Sequence, residues 1–587
     1  MTPPTSTRAR LLRGAAPAAL AIGLASPALR HGWAGDDWYH KIVLGQTGLL
    51  GERHPTWDLF RFLAPGPTND ALAARGLLPW WADLDVRAGF LRPISALTHQ
   101  LDQALWPDSA ALQHAHSLLW FGLAVALWGA LLRGWLRPAA AGAGLLAALL
   151  YAVDDGHAVP AAWLANRNSL VALSFTAGCL IAWGRWLAAP RVFTYLVSLT
   201  LGGAALLAAE AGLAVVAWVA AWQLTLAPGP LPRRLTALLP WAALVVGWRL
   251  IYDAWGYGAS ASGLYIDPGA GLLRFAGALA IRLPVLLSAL WLPLPVDLWA
   301  ALHQDHHLPV AIAALLPTAA VLALAAPLLR RDDPSGARAR FALLGALLCA
   351  VPPSAAFPMD RVLGPAAAGA AALLALLATD PALGAARRRA ARALVVVHAV
   401  AGPALLFGRT ATLDVLGQVF DAGADAVPVA PEVADQTVIF VNGTDFTAVY
   451  TVVVREVRGG APAPAAVGVL GPALSRTALH RPDAQTLVLR PDGGFLGRGL
   501  ERLMRSAERP FRVGDRARRP GFEAEVREIT ADGRPAEVAF HFDRPLEDPG
   551  YLWMSFEGMS PWGEHLVPWT PPPVGAQLQL GPALPLR

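Results

Sequence analysis

Apolar runs of about bilayer-crossing length, separated by short polar segments, fill the chain as far as about residue 410. A helix needs ~20 apolar residues to cross a membrane. The first run ends near Leu29, behind Arg8, Arg10 and Arg13. Ten more follow at 118–132, 139–153, 170–186, 192–208, 213–226, 235–251, 310–329, 341–351, 363–378 and 393–407. The pattern predicts about eleven spans, the first an uncleaved one because no cleavage site leads into a mature soluble domain. From about Pro428 the pattern changes. Short β-prone runs at 437–441, 486–489, 524–529 and 538–543 are divided by Pro, Gly and Asp. Phe446, Val449, Tyr450 and Val453 repeat at helical spacing, and 500–504 reads as a second short helix.

Charge placement orients these runs. Arg133 with Arg137, Arg185 with Arg191, Arg233 with Arg234, Arg330 to Arg340 and Arg387 to Arg389 fall in alternate loops. Positively charged loops stay in the cytoplasm, so the N-terminus lies there and the C-terminal tail outside. The loops at 31–114, 153–167, around Glu210, 252–308 and 352–361 then face outward. Counting 272–294 as a span would break the alternation, so it is expected to be a re-entrant or interfacial helix on the outer side. The fold class expected is an α-helical polytopic membrane protein with a C-terminal extracytoplasmic β-rich α+β domain. Its boundaries are 1–410 for the membrane part, with the large outer loop 31–114, then a linker at 411–427 and the outer domain at 428–587.

Composition agrees. Of 587 residues, 55% are apolar and 15% charged, against roughly 45–50% and 25% in soluble domains. That excludes an ordinary soluble enzyme. The net charge of +5 is carried almost entirely by arginine, with Lys41 the only lysine, and nothing points to nucleic acid. Cys179 and Cys349 sit inside apolar runs and exclude a disulfide framework or a cysteine metal cluster. There is no Walker loop, no G-x-S-x-G elbow and no H-E-x-x-H helix.

Charged side chains at the edge of a bilayer are costly and so are candidates for chemistry. Gly35-Asp36-Asp37-Trp38-Tyr39-His40 follows the first run. One carboxylate there suits a general base toward a hydroxyl, the other an orienting group or half of a divalent-cation site. Equally, the pair fits a solvated loop whose Asp caps a helix. The second outer loop carries Asp154, Asp155, His157 and Arg167, a set suited to an anionic headgroup or to helix capping with a snorkelling arginine. Arg92, Glu210 and Asp360-Arg361 are further candidates at outer ends of spans, each also readable as an ion pair, a turn residue or an anchor. His303, Asp305, His306 and His307 have metal-ligand chemistry but read better as an interfacial loop.

Four segments in order resemble the GT-C superfamily of membrane glycosyltransferases. They are the Asp36-Asp37 pair, then Arg92-Pro93-Ile94 with Leu105-Trp106, His114 and His116, then Tyr151 to Arg167, and finally Asp360-Arg361. The pattern is similar to that of the tetratricopeptide-bearing O-mannosyltransferases and their bacterial relatives, without the tetratricopeptide tail. His157, Trp163 and Arg167 match the third segment, whereas Asp154, Asp155, Val159 and Ser169 depart from it. The resemblance covers roughly 10–410. It implies a GT-C-like fold in a bacterial plasma membrane and transfer of a sugar from a polyprenyl-phosphate donor to an extracytoplasmic glycan, lipid or protein. It further implies Asp36 or Asp37 as base, and Arg92, Arg167 and Arg361 on the donor phosphate, supported by Asp154, Asp155, His157 and Glu210. No cofactor is implied beyond an optional divalent cation. The competing readings are a transporter of envelope glycolipid, for which paired repeats are missing, and a non-catalytic scaffold.

Overall fold

Helix Gly364–Thr379 contains only Gly, Pro, Ala, Leu and Thr, and from Gly364 to Ala378 every residue is buried. Small side chains let neighbouring backbones come close. A Cβ on Gly369 would stand 2.4 Å from the Ala342 carbonyl oxygen. This helix is the centre of an apolar bundle whose core also takes Trp128, Trp218, Phe341 and Leu376. The computed structural model describes residues 7–45, 54–137, 142–560 and 563–582. Arg8, Arg10 and Arg13, which precede the first apolar run, have side chains outside that description.

Among the described residues, six helices are long and apolar enough to cross a membrane: Ala110–Leu136, Leu164–Ala188, Leu231–Ala254, Leu272–Trp291, Gln304–Leu329 and Ala385–Ala426. Five more apolar helices run 10–17 residues, at Ala15–Arg30, Ala143–Ala152, Val192–Ala208, Glu210–Thr225 and Gly364–Thr379. The expected eleven spans are therefore not reached by length. Runs rich in Ala and Gly break into short helices with tight turns, as at Glu210–Leu213. The start of the run at 139–153 lies outside the described residues.

The stretch expected to be re-entrant forms the 20-residue helix Leu272–Trp291. By length it is a candidate span, but its flanks return to the same end of the bundle. Before it, Gly263 donates to the Arg502 carbonyl and Ile266 to that of Ala355. Midway, Arg282 donates to the Ser354 carbonyl. At its far end the Trp291 indole donates to Thr318, in the middle of His307–Leu329. The chain then climbs back, and Asp297 meets Arg409 beside the loop at Asp360.

The tail builds two sheets. One is six-stranded, ordered from the chain's last strand Gln577–Leu580 through Thr477–His480, Thr486–Pro491, Pro535–Phe542 and Phe522–Ile529 to Arg516–Arg519. All its pairings are antiparallel. The other has four strands, in which Thr437–Gly443 is parallel to both Ala466–Pro472 and Tyr551–Ser560. Helix Asp445–Arg458 connects the first parallel pair, opened by a capping box at Thr444 and Thr447. All four runs expected as strands are strands. That at Ala466–Pro472 was not foreseen, because a strand buried on both faces shows no alternation; nor was that at Tyr551–Ser560.

This β-rich unit shares one core with the first outer loop. Trp80, 1% exposed, stands among Phe495, Phe511 and Phe540, and its indole donates to the Leu470 carbonyl. Arg519 donates to the carbonyls of Leu78 and Pro79. Val467 donates to the Arg75 carbonyl. Next to it, Gly76 adopts φ +73, with a Cβ position 1.6 Å from the Val467 carbonyl oxygen. Gly76→Ala is therefore expected to unseat the tail from the loop at a cost of roughly 1–3 kcal/mol. Limited proteolysis should cut residues 428–582 faster in the variant; equal cutting would show the two parts hold together without this approach.

Candidate active site

Consecutive residues of a helix lie about 100° apart, so a pair of adjacent carboxylates cannot serve one point. Helix Asp36–Gly45 splits its pair in this way. Asp37 is buried and committed: one oxygen accepts from the backbone N–H of Ala34 at 2.9 Å, the other from that of Ala165 at 2.6 Å. Burial pushes its pKa up to about 8 against those two donors. Asp36 is partly open and accepts one hydrogen bond, from the Tyr450 hydroxyl at 2.7 Å. The surrounding protein raises its pKa too, while Tyr450, Arg361 and Arg92 pull it back. The pair does not fit a shared cation, since its oxygens serve different partners. Among the described residues no group of three or more His, Cys, Asp or Glu side chains is placed to hold a metal.

The arginines expected on the donor phosphate separate. Arg92 stands just before helix Pro93–Leu105, its guanidinium over the Phe90 and Phe60 rings, and binds Glu210 through two nitrogens, at 2.9 and 2.6 Å. Arg361 lies 5.1 Å over the Trp163 ring and donates to the Met359 sulfur. Among the described residues it has no carboxylate partner. Both act electrostatically on Asp36 and on the Tyr265 hydroxyl. Arg167 is not part of it. It is fully buried, bonded to Asp102 at 2.5 Å, to Ser117 and to the Gln113 and Thr98 carbonyls, with His116 on the other Asp102 oxygen at 2.6 Å. The second-loop segment that resembles the family thus pins helices together here.

The supporting acids also face elsewhere. Instead of neutralising the expected arginines, Asp155 and Asp360 converge with Asp297 on Arg409, at 2.9, 2.9 and 2.5 Å. Asp154 caps the turn Asp155–His157. Burial, with repulsion from Asp154 and Asp360, pushes the Asp155 carboxyl up, and burial with Asp360 beside it pushes that of Asp297 up. His157 is buried, its ring nitrogen on the Tyr151 carbonyl. Arg409 escaped the sequence reading because it follows the last apolar run inside the long helix Ala385–Ala426. Tyr450 escaped because its hydroxyl rides on an apolar stripe. A polar tip on such a stripe was the one signal available.

The chain matches no protein-family model and no curated protein. Among solved structures it is similar to the apo Archaeoglobus fulgidus oligosaccharyltransferase, with TM-score 0.40, 13% identity, 79% of this chain and 65% of that one. It is also similar to the arabinofuranosyltransferase AftD from mycobacteria, with TM-score 0.39, 15% identity, 92% of this chain and 40% of that one. The chain thus spans less than two thirds of either. Similarities of that size say nothing of this chain's chemistry.

Two outcomes follow from the geometry. Tyr450→Phe removes a hydrogen bond that favours the Asp36 carboxylate, so the Asp36 pKa should rise further. Any reaction that needs ionised Asp36 should then lose its rate, as pH falls, at higher pH than in the parent. An unshifted acid limb would detach Tyr450 from the chemistry. Arg409→Gln leaves three carboxylates without their cation and should cost about 3–5 kcal/mol, read as a lower thermal midpoint in detergent. An unchanged midpoint would show the acids are satisfied without it.

Proposed function

We propose that the chain is a membrane glycosyltransferase that moves a sugar from a polyprenyl-phosphate donor to an extracytoplasmic glycan, lipid or protein. In this reading it lies in a bacterial plasma membrane, with its N-terminus in the cytoplasm and its tail outside. The observation that carries the reading is Asp36 within electrostatic reach of Arg361, a guanidinium that forms no ion pair among the described residues and rests on the Trp163 ring. A cation with no carboxylate in contact, beside apolar helices, suits an anionic lipid headgroup.

Asp36 takes the proton of the attacking hydroxyl as that oxygen bonds to the anomeric carbon. The bond from that carbon to the phosphate oxygen breaks, and the phosphate leaves with the electron pair. Arg361 meets the charge that develops there, and Arg92, already half-neutralised by Glu210, adds a weaker field. One displacement with one base inverts the anomeric carbon. Asp37 orients its helix through the Ala34 and Ala165 amides, and Arg167 braces the neighbouring helices Pro93–Leu105 and Ala110–Leu136.

Asp36→Asn should reduce transfer in vesicles by about 10²–10⁴-fold, as for loss of a general base. Asp37→Asn should act mainly through folding. Arg361→Gln should weaken use of the lipid-phosphate donor, and Arg361→Lys should restore it only in part, since an ammonium lacks the planar fork. Near-normal transfer by Asp36→Asn, with the protein correctly inserted, would overturn the reading.

A further inference from the structure

The end of the bundle away from Asp36 carries an unbalanced positive charge. Helices Ala110–Leu136 and Arg167–Ala188 start side by side, where Arg167 bonds Ser117, and each runs roughly 30–40 Å to the far side. There Trp135 meets Phe341 with ring centroids 4.9 Å apart, and Trp183 meets Trp222 at 5.7 Å. Arg331 bonds Asp380 at 3.0 Å, and Arg392 donates to the Ala378 carbonyl. These contacts gather the turns and helix ends at 133–137, 185–191, 233–234, 330–340 and 387–392, which hold fourteen arginines. Three carboxylates accompany them, Asp332, Asp333 and Asp380. Among the described residues these pair only with Arg331 and Arg340.

Sidedness accounts for the abundance of exposed arginine in such turns. It does not account for two that are folded inward. Arg338 lies over the Trp222 ring, 5.4 Å from its centroid, and its Nη1 is buried with no hydrogen-bond partner. Arg234 donates to the Ala227 carbonyl, while its Nε is buried and unpartnered. The Ala227 N–H donates in turn to the Trp222 carbonyl, so both guanidinium groups stand around the end of helix Ala214–Thr225. The free carbonyls of a helix end offset only part of a full charge. Two half-buried cations around one helix end repel each other until an anion neutralises them.

What lies beside the arginines selects the anion. Leu231, Leu235 and Leu239 are all 45–63% exposed, and the exposed Val246 and Leu250 continue their stripe at helical spacing. Within Leu239–Ala254 only Trp241 and Tyr252 are buried, so most of this candidate span faces away from the bundle. In a membrane the stripe meets acyl chains, and Arg234, at its foot, stands at headgroup level. A phosphodiester carrying acyl chains matches both parts at once. Its oxygens suit the planar guanidinium fork, and its tails suit the leucines. A soluble anion would leave the stripe unused.

We propose that an anionic phospholipid binds at Arg234 and Arg338, its phosphate on the two guanidinium groups and its acyl chains along the leucine stripe. The site is separate from Asp36 and holds whether or not the chain transfers sugar. The test is native mass spectrometry of the full chain in non-ionic detergent, titrated with phosphatidylglycerol and with phosphatidylcholine. Phosphatidylglycerol should bind saturably and the more tightly of the two. Arg338→Gln should weaken it about fivefold, one arginine's share of headgroup attraction, and Arg338→Lys should keep part of the affinity because the charge remains. Arg387→Gln removes an exposed charge from the same end and should change binding little, since water and salt screen it. Equal affinity for the two lipids, displacement by inorganic phosphate, or equal losses in Arg387→Gln and Arg338→Gln would overturn the proposal. Should Arg338→Gln fail to fold, Arg234→Gln tests the same phosphate, and full-strength binding by that variant would overturn it as well.

Discussion

A charge taken out of water must be paired, and that constraint organises the end of the bundle where the β-rich unit sits. Arg167 is sealed under Asp102, Arg92 is clamped by Glu210, and Arg409 gathers Asp155, Asp297 and Asp360 from three separate segments. Each pairing joins elements distant in sequence. The knot at Arg409 also fixes where the chain returns after the helix Leu272–Trp291. Arg361 rests on Trp163 and, among the described residues, forms no ion pair; the buried Arg282 and Arg519 also lack one and are met by backbone carbonyls instead.

The second organising fact is helical geometry. The helix Asp36–Gly45 sends Asp36 toward Arg361, Arg92 and Tyr450, and turns Asp37, His40 and Lys41 the other way. Two adjacent carboxylates therefore do different work: one accepts from the Tyr450 hydroxyl, and the other ties its helix to the backbone at Ala34 and Ala165. The tail is part of this arrangement. Tyr450 comes from the helix Asp445–Arg458, which also holds the long helix through Arg455 and Arg458. Trp38 donates to Asp421 of that same long helix and lies under Arg458. The β-rich unit thus supplies the hydroxyl that meets Asp36.

What the sequence by itself determined was whatever local pattern and composition dictate. The apolar runs, the change at Pro428, four strands and the stripe around Tyr450 were legible, because periodicity and side-chain chemistry are local properties. The number of helices long enough to cross was not, since Ala- and Gly-rich runs carry no sharp ends. Only the tertiary structure decided which charges meet. Asp154 and Asp155 lie near Arg167 in sequence, yet Asp155 goes to Arg409 while Arg167 finds Asp102. Pairing across 254 residues is set by how helices and sheets pack, and no spacing rule along the chain encodes it. The same holds for Tyr450 on Asp36 and for the facing imidazoles of His40 and His99, which become neighbours only when separate helices come together.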